Sequence, residues 1–229
     1  MNLKEEKFIA VLGLLLSAFA LLSATLLGFG GFSVKAFSSY QITGYVSRLQ
    51  MVFILFGCIG FVLSGIAYEN IAKRKIRKSN IMLLAHLPVS IAFLTIAIFG
   101  LTSQLRSSNF WGETTFQEIQ DVLFFNGLTL LSFLTLGILQ VILFAVFSKT
   151  KMFPPNRLSK TAQALTLISG IFLIVKTIID YPPIKQVSFV FSYTLKIPFP
   201  NNIVSIVAPL IYLSAQIFAA IIILQQKTA

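Results

Sequence analysis

Three polar side chains in apolar stretches are the residues of this chain best suited to chemistry. His86 is the only histidine, and Gln140 and Gln216 lie in two other apolar stretches. A membrane imidazole relays protons or binds a metal, whereas amides bind solutes or join helices. Judged by their positions along these stretches, all three lie in the inner half of a bilayer. The pattern favours hydrogen bonding between helices, with a polar cavity open to the cytoplasm as the functional alternative.

A second polar pair lies near the outer end of another apolar stretch. Lys176 and Asp180 are four residues apart, so they share one face of a helix. A lysine close to a helix end reaches the interface with its charged head, and the carboxylate neutralises it. The spacing therefore predicts an outer ion pair, with a coupling-ion or substrate role as the functional alternative.

Residues for acid–base or metal catalysis are scarce. The seven acidic residues all lie away from the centres of the apolar stretches: Glu5, Glu6, Glu69, Glu113, Glu118, Asp121 and Asp180. The sequence has no HExxH motif, no GxSxG motif and no phosphate-binding glycine loop. Cys58 is the only cysteine, which excludes an intrachain disulfide and a thiolate metal centre. We expect no cofactor and no bound metal, although an enzyme that acts on lipid stays an alternative.

The elements that carry these residues are membrane spans. The chain of 229 residues is 56% hydrophobic and 11% charged, whereas soluble domains have about 25% charged residues. A span needs about 20 apolar helical residues. Six stretches qualify, at residues 8–29, 49–71, 81–101, 122–147, 162–179 and 203–224. We predict an all-α polytopic membrane protein with six transmembrane helices, forming one membrane domain over residues 1–229.

Basic residues set the predicted orientation. They cluster after the second span, at Lys73, Arg74, Lys75, Arg77 and Lys78. A second group follows the fourth span, at Lys149, Lys151, Arg157 and Lys160. Positive residues favour the cytoplasmic side, so both termini are predicted to be cytoplasmic, in the cell membrane. The first cluster also attracts anionic lipid headgroups, and the formal charge of +11 is explained without nucleic acid.

The outer connections carry local patterns. Apolar residues alternate with polar ones over residues 187–197, and residues 32–37 are rich in β-compatible types. We expect a small β element from these two loops, with an aromatic loop on the bilayer surface as the alternative. Thr115 to Glu118 forms a capping box, which predicts a helix that begins there and continues into the fourth span.

Small residues predict where helices approach closely. Gly60 and Ser64 are four residues apart in the second span, which also contains Gly57 and Gly65. Such a face lets two helix backbones come together. We expect it to pack against another helix of the same chain, with a dimer interface as the alternative.

The segment Tyr45–Leu49, the glycines of the second span and the segment Phe116–Gly127 together carry a family resemblance. In these parts the chain resembles prokaryotic six-helix membrane proteins of unknown function that are distantly similar to the DRAM autophagy modulators. The resemblance implies a six-helix fold and no mechanism.

Three function classes follow from the residues. The first is a protein without catalysis that acts through partners or as a subunit of a membrane complex. The second is a small transporter or channel, which Pro88 and Pro209 favour because they occupy corresponding spans of two three-helix halves. The third is a membrane enzyme that acts on lipid.

Overall fold

A computed structural model describes the chain over residues 3–26, 33–37, 39–43, 48–73, 81–102, 116–150, 155–180 and 203–225. These ranges contain six helices and two short strands. The helices are α1 (Leu3–Leu26), α2 (Arg48–Lys73), α3 (Ile81–Thr102), α4 (Phe116–Thr150), α5 (Arg157–Asp180) and α6 (Ile203–Gln225). The strands are β1 (Ser33–Phe37) and β2 (Ser39–Thr43), which pair in antiparallel fashion.

The helices are built to cross a membrane. Over the described side chains, five of them (all except α2) are long and apolar enough to span one. The described apolar part of α2 is shorter and covers Met51–Ile66. A helix satisfies its own backbone hydrogen bonds, and about 20 residues reach across the hydrocarbon. These helices define a multi-pass helical membrane protein.

The six helices form a closed ring. Each helix packs against its neighbours in the chain, and α6 returns to pack against α1. Large apolar side chains cover much of the outside, and examples on three helices are Phe19, Ile91 and Ile178. Lipid is as apolar as these side chains, so their exposure is the normal state of a membrane surface.

Close approach of α1 and α2 depends on glycine. A methyl group added at Gly60 would lie 2.5 Å from the backbone nitrogen of Ser17 and 2.9 Å from the carbonyl oxygen of Gly13. One added at Gly13 would lie 2.6 Å from the nitrogen of Ser64. The prediction that Gly60 and Ser64 pack within the chain is confirmed.

The other half of the ring has a similar crossing between α4 and α5. A methyl group at Gly137 would lie 2.8 Å from Cγ1 of Ile174 and 3.0 Å from the carbonyl oxygen of Gly170. One at Gly170 would lie 2.9 Å from the carbonyl oxygen of Gly137 and 2.9 Å from Cγ2 of Val141. The two helices therefore also meet at their backbones.

Two helices extend beyond the predicted spans. The prediction of a helix that continues into the fourth span is confirmed, because α4 runs from Phe116 for 35 residues, whereas Thr115 of the capping box lies outside the described residues. The fifth span is predicted to begin at residue 162, and α5, which contains it, begins earlier, at Arg157. Oδ1 of Asn156 accepts a hydrogen bond of 2.8 Å from the backbone N–H of Ser159, which caps the helix at this earlier point.

The described β element is a hairpin in the connection between α1 and α2. Ser33 pairs with Thr43, and Phe37 pairs with Ser39. The segment that was expected to form its partner, residues 187–197, lies outside the described residues. The prediction of pairing between the two loops therefore stays a prediction.

Candidate functional site

The side chain of His86, in α3, packs against α2. Its side chain is only 2% exposed, and its Nδ1 lies 2.7 Å from the carbonyl oxygen of Met82, one turn earlier in α3. A carbonyl oxygen only accepts hydrogen bonds, so Nδ1 donates and the neutral ring keeps its lone pair on Nε2. Gly65 makes room for the ring, because a methyl group there would lie 2.8 Å from Cβ of His86. The contact leaves no space for a larger residue at position 65.

The imidazole packs against the ring of Tyr68, which in turn packs against Phe147. The Tyr68 ring lies 5.6 Å from the His86 ring, centroid to centroid, and 5.3 Å from that of Phe147. Within the described part of the chain, no group of three His, Cys, Asp or Glu side chains is placed to hold a metal ion. The described surroundings of His86 suit a packed, neutral imidazole that joins α2 to α3.

Gln140 and Gln216 meet inside the ring of six helices. They are 1% and 4% exposed, and Nε2 of Gln216 donates to Oε1 of Gln140 over 3.4 Å. This bond connects α4 with α6, and Cβ of Gln140 lies where a methyl group on Gly170 would approach it to 3.1 Å. Of the three predicted polar residues, the structure thus brings these two together, while the hydrogen bond described for His86 stays within α3.

A tyrosine and a serine that the sequence reasoning did not select form a further link. Oγ of Ser17 and the hydroxyl of Tyr212 lie 3.3 Å apart, and both side chains are buried. The bond joins α1 to α6, at the contact that closes the ring of six helices. The available signal was a tyrosine in the middle of an apolar stretch, where its hydroxyl needs a partner.

Glu69 has a role that its sequence position did not reveal. Its carboxylate, 3% exposed, accepts hydrogen bonds from the backbone N–H groups of Met82 and Leu83 through Oε2, over 3.0 and 3.4 Å. These two groups are the second and third of α3 and have no partner within their own helix. A negative charge at a helix N-terminus also complements the helix dipole. Glu69 therefore caps α3 from the end of α2.

Lys176 contacts a ring on the neighbouring helix. Its Nζ lies 4.6 Å from the centroid of Phe133 in α4, within the range of a cation–π interaction. The side chain of its predicted partner, Asp180, lies outside the described residues. The prediction of an outer ion pair therefore stays a prediction.

Of the basic residues predicted to bind lipid headgroups, the structure describes only the backbone of Lys73. Lys73 is the last residue of α2, and residues 74–78 lie outside the described ranges. The second basic group is partly described, with Lys149, Arg157 and Lys160 all exposed.

A cavity between α1, α2 and α3 is too small for a solute. Ser17, Gly57, Phe61 and Phe93 are among the residues that line it, and its volume is ≈ 10 Å³ when measured for the centre of a water molecule. A single water needs about 10–15 Å³ by this measure. The cavity therefore holds one water molecule at most.

Comparisons of the chain with protein-family models, with curated proteins and with solved structures find no match. The resemblance to the prokaryotic six-helix proteins therefore stays a prediction.

Proposed function

We propose that this chain is a six-span protein of the cell membrane with both termini in the cytoplasm. Support for the sixth span comes from α2, which is 26 residues long and, apart from Ser64, is apolar from Met51 to Ala67. About 20 residues are enough to cross the hydrocarbon. Support for the orientation comes from the basic residues that follow the second and fourth spans. Its relatives, in this proposal, are the prokaryotic six-helix proteins that it resembles.

The protein acts, in our proposal, through other membrane proteins and without catalysis in its own interior. One observation carries this function: buried polar groups bind across the chain's own helices. Gln140 binds Gln216, Ser17 binds Tyr212, and Glu69 caps α3. Polar groups that are already bonded inside a membrane protein hold helices together at about 0.6 kcal/mol per contact. Such an interior supports a scaffold, whose activity lies on its surface.

Anionic lipids are the second class of partner. Lys149, Arg157 and Lys160 are exposed at the ends of α4 and α5, next to the connection that we place in the cytoplasm. Residues 73–78 add five basic residues on the same proposed side. Each basic residue near an anionic surface contributes about 1 kcal/mol to binding.

Photo-crosslinking in native membranes tests the proposal. A photoreactive residue replaces exposed Ile91, Ile171 or Ile178 in the full-length chain, one position at a time, and buried Leu173 serves as the matched control. We expect one defined protein adduct from at least one exposed position and none from residue 173. Purification in mild detergent should then yield that protein in fixed stoichiometry. If the exposed positions crosslink only to lipid and the chain purifies alone, the scaffold function is wrong.

A small transporter is the second candidate, and one observation favours it. Pro88 and Pro209 lie inside α3 and α6, the third helices of two successive three-helix halves. Interrupted helices in matching positions of two halves are common in transporters. The discriminating result is a bound solute, detected by native mass spectrometry of the protein that purifies without a partner.

A further inference from the structure

The first three and the last three helices share one pattern of contacts. In both halves, a glycine of the first helix and a glycine of the second meet at their backbones. Gly13 of α1 corresponds to Gly137 of α4, and Gly60 of α2 corresponds to Gly170 of α5. In each half, a methyl group on the second glycine would lie 2.9 Å from the carbonyl oxygen of the first.

The correspondence extends one turn along each helix. A methyl group on Gly60 approaches Ser17, four residues after Gly13, and one on Gly170 approaches Val141, four residues after Gly137. A methyl group on Gly13 would likewise approach Ser64, four residues after Gly60. One on Gly137 would approach Ile174, four residues after Gly170. Four pairs of positions therefore match in sequence spacing and in contact.

We propose that the chain is an inverted repeat of two three-helix units that move against each other as rigid bodies. Unit one comprises α1, α2 and α3, and unit two comprises α4, α5 and α6. A unit with three spans ends on the opposite side of the membrane from its start, so the second unit is inserted upside down relative to the first. This inference goes beyond the scaffold function and does not depend on it.

Contacts within the units are directional and close. In unit one, Oγ of Ser90 donates to the carbonyl oxygen of Cys58 over 3.1 Å, and Glu69 caps α3. These bonds add to the glycine crossing and fix all three helices relative to one another. In unit two, the bond between Gln140 and Gln216 adds α6 to the pair formed by α4 and α5.

Contacts between the units include two ring pairs that tolerate sliding and one side-chain hydrogen bond that does not. Phe93 in α3 meets Phe133 in α4 at 6.1 Å between ring centroids, and Phe99 meets Phe124 in the same two helices at 5.2 Å. Ring contacts have broad energy minima over such separations. At the other interface, Ser17 of α1 and Tyr212 of α6 form a hydrogen bond that a small displacement breaks. Shear of packed helices by about 1–2 Å is a known mode of conformational change.

Distance measurements between spin labels test the inference on the full-length protein. In a Cys58→Ser background, labels are attached in pairs to cysteines placed at the exposed positions Leu15, Leu94, Ile138 and Ile217. The pairs 15–94 and 138–217 lie within the units. The pairs 94–138 and 15–217 lie between them and serve as the matched comparison. Each pair is measured in neutral and in anionic lipid bilayers.

We expect the distances between units to shift by about 2 Å or more from one bilayer to the other, while those within units stay constant. Reporter fusions should place residues 1 and 150 on one side of the membrane and residue 110 on the other. Within-unit distances that shift as far as those between units would overturn the inference, as would no shift in either class or two units inserted in the same orientation. Failure to find a protein partner would remove the scaffold function and leave this result intact.

Discussion

The two units solve the same packing problem with different chemistry. In unit one, the residues one turn after the two glycines are Ser17 and Ser64. Methyl groups added to the glycines would lie only 2.5 and 2.6 Å from the backbone nitrogens of these serines. In unit two, Val141 and Ile174 occupy the corresponding positions, and the nearest atom to a methyl group on Gly137 is a side-chain carbon. Backbone atoms cannot rotate away, whereas an isoleucine can change rotamer. Unit one is therefore the tighter of the two.

The largest expected effect breaks the crossing in unit one. Gly60→Ala should lower the free energy of unfolding by about 3 kcal/mol, because its methyl group meets the backbone of α1. Gly137→Ala in unit two should cost about 1–2 kcal/mol, because Ile174 can move. Unfolding by denaturant in mixed micelles measures both values.

Gly127→Ala is the matched control for these two substitutions. Gly127 lies in α4 with no atom within 4 Å of an added methyl group, so the change should leave stability equal or raise it by up to about 1 kcal/mol. Equal losses of unfolding free energy for Gly60→Ala and Gly137→Ala would contradict the conclusion that the helices of unit one pack more tightly than those of unit two. A loss at position 127 would show that any glycine substitution is harmful in this fold.

The second effect concerns how helices are capped. Glu69→Ala should cost about 2 kcal/mol, because the buried N–H groups of Met82 and Leu83 lose their acceptor. Glu69→Gln should cost less, because an amide oxygen can still accept both bonds. Asn156→Ala, which removes the exposed cap of α5, should cost about 1 kcal/mol. Thermal unfolding of the three variants ranks them, and a Glu69→Ala variant as stable as the parent would exclude the cap.

A smaller effect tests the amide pair of unit two. Gln140→Leu and Gln216→Leu should each destabilise the protein, and the double variant should recover part of the loss. The coupling energy of the double-mutant cycle should lie between about 0.6 and 1.7 kcal/mol. Additive losses would show that the two amides act independently. That outcome would favour a polar cavity over a helix-joining bond.

The smallest effect lies between the units. Tyr212→Phe removes the hydroxyl that faces Ser17 and should cost about 0.5–1 kcal/mol, because both rings fill the same volume. The same variant should increase the shift in the 15–217 spin-label distance and leave the 15–94 distance unchanged. A change confined to the 15–94 pair would contradict the assignment of this bond to the interface between units.

Much of the fold could be predicted from the sequence because membrane spans leave a strong signal. Length and apolar composition located all six helices, and Gly60 with Ser64 predicted a close crossing. Partner identity could not be predicted: nothing local indicates that Gly60 meets Gly13, or that Gly137 meets Gly170. The start of α5 at Arg157 could not be predicted, because apolar composition locates the span and does not detect the cap at Asn156.

The polar residues were harder to assign, for a physical reason. Gln140 and Gln216 were selected by burial in apolar stretches, which does not specify whether two amides face each other or a solute. The partners of Glu69 are backbone groups of α3, which the residues around Glu69 in α2 do not indicate. Tyr212 was overlooked because a tyrosine counts as apolar in hydropathy. Each of these contacts is set by the arrangement of helices and not by local sequence.

The bond between Ser17 and Tyr212 also has a consequence for biosynthesis. The two residues are 195 positions apart, and α6 leaves the ribosome after the other five described helices. Ser17 therefore enters the membrane early, and four further helices are synthesised before the helix of its partner. A chain truncated before α6 would leave that hydroxyl and one flank of α1 uncovered in the lipid. Such a surface distinguishes an unfinished chain from a complete one, and proteases of the membrane can act on that difference.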